Sequence, residues 1–169
     1  NKNYVSNRIS KLNFSSADAD LILAEQDLMS RVTNAYLDVL FASDTVEFTK
    51  AEKVAIGRQL EQSKRRYEVG IIAITDVLEA QAGFDNATAS VLKAENDYQI
   101  SREKLRDIAG QYFETISPVS DKMPLNPPEP NNINDWVNFA LATNPTLQSI
   151  NFKKLSSKEN INLQRSGHY

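Results

Sequence analysis

The 169-residue chain has no cysteine, a single histidine and no surplus of positive charge, and each shortage removes a class of function. Without cysteine there is no disulfide framework, no thiolate zinc site and no cysteine nucleophile. The one imidazole, His168, stands beside the last residue, which leaves a metal or triad enzyme nothing to be built from. Nineteen Lys+Arg against 22 Asp+Glu give a formal net charge of −3, so nothing is left over to neutralise phosphates and nucleic acid is excluded as the main partner. No run of about 18 apolar residues exists to form a membrane-spanning helix. The opening Asn1-Lys2-Asn3-Tyr4 has neither a start Met nor an apolar signal core, as expected of a segment cut from a longer protein. The lack of cysteine suits an oxidising compartment but is found in the cytosol too. No acid, base or nucleophile stands outside solvated helix faces, so no catalytic residue, metal site or cofactor is expected.

Glycine and proline are also scarce, five and six residues, and their positions divide the chain. Gly70 ends one long polar-apolar stretch and Gly110 a second. The run from Pro118 through Pro124, Pro127 and Pro128 to Pro130 cannot be helix or central strand. Three parts follow: a helical hairpin over 1–110 with its tip at 70–76, a Pro-rich linker over 111–131, and two short helices over 132–169. The linker reads as an ordered crossing or as a mobile one.

What is abundant is helical periodicity. Val77, Ala80, Phe84, Ala87, Val91, Ala94, Tyr98, Ser101, Leu105 and Ile108 alternate at 3 and 4 residues, the seam of a coiled coil. Asp76, with Glu79 three positions on, resembles a capping box, with Thr75 as the rival cap. Ala109-Gly110 is the stop. Before Gly70 a similar seam runs Leu28, Val32, Ala35, Val39, Ala42, Val46, Thr49, Lys53, Ile56, Leu60, Ser63, Tyr67. A second stripe, Leu37, Phe41, Phe48, Ala51 and Ala55, lies on an adjacent face, so this helix needs two neighbours.

At about 1.5 Å rise per residue a helix over 17–69 reaches roughly 80 Å, or about 100 Å if it starts at Asn3, while 76–109 spans only about 50 Å. Asn13-Phe14-Ser15-Ser16 is a candidate cap for the shorter option. The uncovered half of the long helix then requires the final helix, from Pro145 to a terminator at Gly167. A small helix through Trp136 and Leu141 precedes it. Trp136 fits either a belt around a larger assembly or ordinary core, and no site is assigned to it. Many seam positions are Ala, and Gly57 and Gly83 each cost about 1 kcal/mol inside a helix, so the isolated hairpin is expected to be weak.

The connection Gly70-Ile71-Ile72-Ala73-Ile74-Thr75 places three isoleucines where a hairpin turn ordinarily carries Asn, Asp, Ser or Gly. They either fold back as a plug or form a contact surface. The segment Arg66-Tyr67-Glu68-Val69-Gly70-Ile71-Ile72-Ala73-Ile74-Thr75-Asp76-Val77 resembles the helix-tip motif of outer-membrane efflux proteins, the TolC-like channels. Three further segments are similar to that family: Ala35-Tyr36-Leu37-Asp38-Val39-Leu40, Leu105-Arg106-Asp107-Ile108-Ala109-Gly110, and Ala140-Leu141-Ala142-Thr143-Asn144-Pro145-Thr146-Leu147. The resemblance covers about residues 17 to 167.

The resemblance implies an all-α chain: a long antiparallel coiled-coil hairpin with stacked shorter helices, forming part of a trimeric α-helical barrel. It implies the periplasmic tunnel of a homotrimeric channel that exports drugs or proteins from a Gram-negative cell. The outer membrane would be crossed by a β-barrel whose strands fall outside this chain, the second hairpin beginning near 166–169. Arg66, Tyr67, Val69, Gly70, Ile71, Ile72, Ala73, Ile74, Thr75 and Val77 would meet a periplasmic adaptor and, through it, an inner-membrane pump. Asp76 would help hold the tunnel entrance shut, or act only as a helix cap. The rival from another class is a cytosolic coiled-coil scaffold or tether, which predicts equal helices and a hydrophilic turn.

Overall fold

The computed structural model describes residues 2–120 and 126–165, and among them the regular structure is four helices. These are α1 (Lys2–Glu68), α2 (Ile74–Ala109), α3 (Ile133–Thr143) and α4 (Pro145–Arg165). The all-α class read from the periodicity is the observed one. Pro124 and the expected terminator Gly167, with the rest of 166–169, lie outside the described residues. Among the described residues no helix is long and apolar enough to cross a membrane.

Helix α1 takes the longer of the two options considered, since it begins at Lys2 rather than Ala17. Ser16 does not cap a helix there. It is buried, and its hydroxyl lies 3.1 Å from that of Ser149, so a tertiary partner claimed the side chain that local reasoning reserved for a cap. Helix α2 begins at Ile74, two residues before the expected start. The chain divides into two compact units, one of residues 1–30 with 120–169 and one of residues 31–119.

In the second unit α1 and α2 run antiparallel, as the pairs Lys50–Glu95 (2.7 Å), Gly57 against Phe84 and Val39 against Leu105 require. Each α2 position of the predicted seam from Val77 to Ile108 is buried or half-buried, and so is the α1 seam from Ala35 to Ser63. Ala35, Val39 and Leu105 form a buried cluster against which Tyr98, Ile108 and Ile116 pack. The two helical glycines face large side chains across the hairpin. A Cβ at Gly57 would stand 3.2 Å from the Phe84 ring, and one at Gly83 would stand 3.9 Å from Ile56. Gly57, which weakens its helix, thus makes room for a cross-helix contact, whereas Gly83 leaves space for a methyl group. The second stripe stays in solvent: Phe41 is 75% and Phe48 69% exposed, and Leu37, Ala51 and Ala55 are exposed too.

In the first unit the early part of α1 packs against α4 through small and polar groups. Ser156 donates to the Asn13 carboxamide oxygen at 2.8 Å, Lys153 to Asp20 at 3.0 Å, and Arg8 pairs with Glu159 at 3.3 Å. The Ser16 and Ser149 hydroxyls share one hydrogen bond in which either is able to donate. Helix α3 starts where the Asn132 side chain accepts from the Asn134 N–H, and no residue of it is buried within this chain.

Candidate functional site at the hairpin tip

The turn that ends α1 at Gly70 is closed by backbone alone. The Gly70 N–H donates to the Tyr67 carbonyl at 2.8 Å and the Ile71 N–H to the Arg66 carbonyl at 2.9 Å, the paired bonds of a Schellman motif. Gly70 takes φ 77°, the left-handed conformation the motif needs, and a Cβ there would meet nothing within 4 Å. Glycine is therefore required by the backbone angle and not by crowding.

The sequence at this motif omits one customary part. The residue after the glycine usually packs on an apolar residue at the start of the last turn. Here that pair is Ile71 and Arg66, so Ile71 has no apolar seat and is 65% exposed. Val69 is 70% exposed and Ile74 is 47% exposed. Ile72 is half-buried, and Arg66, Tyr67, Ala73 and Thr75 are exposed. Val77, which the resemblance groups with the tip and the periodicity with the seam, is buried in the seam, so it supports the tip from below and presents no surface. The isoleucines are thus divided: Ile72 folds partly inward while Ile71 and Ile74 face solvent.

Ala73 is the N-cap of α2, in extended backbone with φ −81° and ψ 158°. Alanine has no side-chain acceptor, so only half of a capping box forms: the Asp76 carboxylate, three residues into the helix, accepts from the Ala73 N–H at 3.3 Å. The roles expected of Asp76 and Glu79 are thus shifted along the helix, which is why α2 starts two residues early. Negative charge in this first turn also complements the helix dipole.

Behind the tip an open groove of about 530 Å³ runs between the helices, lined by Ile56, Gln59, Ser63, Asp76, Glu79, Ala80 and Gly83. None of Gln59, Ser63 and Glu79 stands out in the sequence as a site residue: Gln59 reads as helix surface, Ser63 as a seam position and Glu79 as part of a cap. Among the described residues no three His, Cys, Asp or Glu side chains gather as a metal site would need. What the tip offers is an apolar knob on a rigid turn, with a carboxylate beside a polar groove.

Residues 5–111 match the family described as outer membrane efflux protein. The chain is 40% identical over 152 residues to outer membrane protein TolC of Vibrio cholerae serotype O1, covering 90% of this chain and 35% of that protein. It is 32% identical over 145 residues to outer membrane protein TolC of Escherichia coli K12, covering 85% and 29%. To the alkaline protease secretion protein AprF of Pseudomonas aeruginosa it is 32% identical over 127 residues, covering 74% and 26%. The chain spans about a third of the length of the curated relatives it matches.

Proposed function

The chain belongs to the outer membrane efflux protein family, and from that premise we propose that it is the periplasmic helical section of a trimeric outer-membrane export duct. The duct takes drugs or proteins from an inner-membrane pump by way of a periplasmic adaptor and does no bond chemistry. Its tip, Arg66 to Thr75, meets the adaptor end-on. Asp76 holds the entrance closed while also capping α2. The relatives' names support an outer-membrane location and a secretion route: two are outer membrane proteins and one is a secretion protein for alkaline protease.

The observation that carries this reading is the solvent-facing set Val69, Ile71 and Ile74, held on a turn that does not need them for closure. Exposed apolar side chains on a rigid tip gain about 25 cal/mol per Å² when a partner covers them. The exposed stripe of Leu37, Phe41 and Phe48 supports assembly, because copies of α1 and α2 arranged in a ring would cover it. The unequal helices and oily turn disfavour the scaffold reading.

The test is Ile71→Glu in the full-length protein. A charge at this exposed position leaves the backbone-closed turn intact, so the trimer and the barrel are expected to form while pump-dependent export is lost. Export at the unmodified level with Glu at 71 would remove the docking assignment.

A further inference from the structure

Residues 111–117, which follow the left-handed Gly110, form neither helix nor strand, yet they are fastened to both helices of the hairpin. On α2, Arg102 donates from Nη2 to the Phe113 carbonyl at 2.7 Å and, more weakly, to that of Glu114 at 3.4 Å. Its guanidinium also lies over two rings, Tyr98 of α2 at 5.7 Å and Tyr112 of the segment at 4.7 Å. On α1, the Tyr36 hydroxyl donates to the Ser117 carbonyl at 2.6 Å. Between these two fastenings Ile116 packs on the cluster of Ala35, Val39 and Leu105.

Three features set this segment apart from an ordinary surface crossing. Its carbonyls, which would otherwise be left to water, accept from a cation and a phenol, and charge-assisted bonds of this type are the stronger class. The planar guanidinium meets rings and carbonyls together, which the compact ammonium of lysine does not reproduce. The anchors stand on different helices, so the segment ties α1 to α2 and its apolar side chain closes one wall of the cluster they share.

We propose that residues 111–117 are a latch, caught by Arg102 on α2 and by Tyr36 on α1, that sets the separation of the two helices at the base of the hairpin. With the latch seated, Ile116 completes the apolar cluster and the base is rigid. With it released, Val39 and Leu105 lose that wall and the helices are free to part. Arg102 acts here as a positioning residue, through the segment it holds. The proposal is independent of what the tip binds.

Two readouts on the full-length protein test it. Tyr112 and Phe113 are both exposed and are chymotrypsin sites that a seated latch protects. Asp38 of α1 and Lys104 of α2 flank a groove near the base and carry spin labels after cysteine substitution in this cysteine-free chain. Arg102→Ala is expected to raise cleavage at 112–113 at least tenfold and to broaden the label-to-label distance distribution. Arg102→Lys, which keeps charge and stem, is expected to do most of the same. Tyr36→Phe is expected to give a smaller rise. Glu103→Ala, a neighbouring surface change, is expected to alter neither. Cleavage unchanged in both Arg102 variants would overturn the latch. Faster cleavage with an unchanged distance distribution would overturn its control of helix spacing. Faster cleavage along the whole chain would reduce Arg102 to general stability and overturn the proposal as well.

Discussion

The two glycines inside the hairpin should respond in opposite ways to the same substitution. In a helix interior alanine is favoured over glycine by about 0.8–1.0 kcal/mol. At Gly83 the added Cβ would meet Ile56 at 3.9 Å, an ordinary contact, so Gly83→Ala should realise nearly the whole gain. At Gly57 the Cβ would stand 3.2 Å from one Phe84 ring carbon and 3.5 Å from another, and the ring must give way by a few tenths of an ångström. Overpacking of that kind costs about 1–3 kcal/mol, which cancels or exceeds the gain. It also displaces a ring that the Lys53 ammonium faces at 5.6 Å. The two variants should therefore differ by about 1–3 kcal/mol, Gly83→Ala being the more stable. Denaturant unfolding followed by far-ultraviolet circular dichroism measures this as a shift in midpoint at constant slope. A double-mutant cycle isolates the cause: in a Phe84→Ala background, Gly57→Ala should become stabilising. If Gly57→Ala stabilises the unmodified chain as much as Gly83→Ala does, the interlock is not what requires glycine at 57.

At the turn, Gly70→Val should cost about 1–2 kcal/mol from its positive φ alone, and Gly70→Asn distinctly less, which thermal unfolding of the pair would show. Asp76→Ala removes the acceptor for the Ala73 N–H, costing about 0.5–1 kcal/mol of helix stability, and should raise the resting conductance of the full-length channel. Unchanged conductance would leave Asp76 a cap only. Bonds from Ser149 and then Lys153 hold the Asp20 carboxyl below its ordinary value of 3.8. Because folding lowers this value, the contribution is complete above 3.8 and is lost as pH falls below it, so Asp20→Asn should flatten the acid limb of thermal stability.

The seams were legible because burial follows spacing. Val77, Ala87, Val91, Ala94 and Leu105 were named from a 3/4 alternation and all are buried. The left-handed stops at Gly70 and Gly110 were legible because few other residues adopt that backbone. What was not legible depended on partners far along the chain. Ser16 looked like a cap until Ser149, 133 residues away, took its hydroxyl. Nothing in the sequence marks Arg102, because the carbonyls it holds belong to a segment without periodicity. At the tip, the motif located the apolar residues, but which of them faced outward depended on the Arg66–Ile71 pairing inside the turn.

The backbone-only closure at Gly70 separates holding a shape from choosing a companion. Since Val69 and Ile71 donate and accept nothing with their side chains there, their identities are free to drift without loosening the bend. Lineages could thus re-tune what this end recognises one substitution at a time, while Gly70 alone stays under geometric constraint.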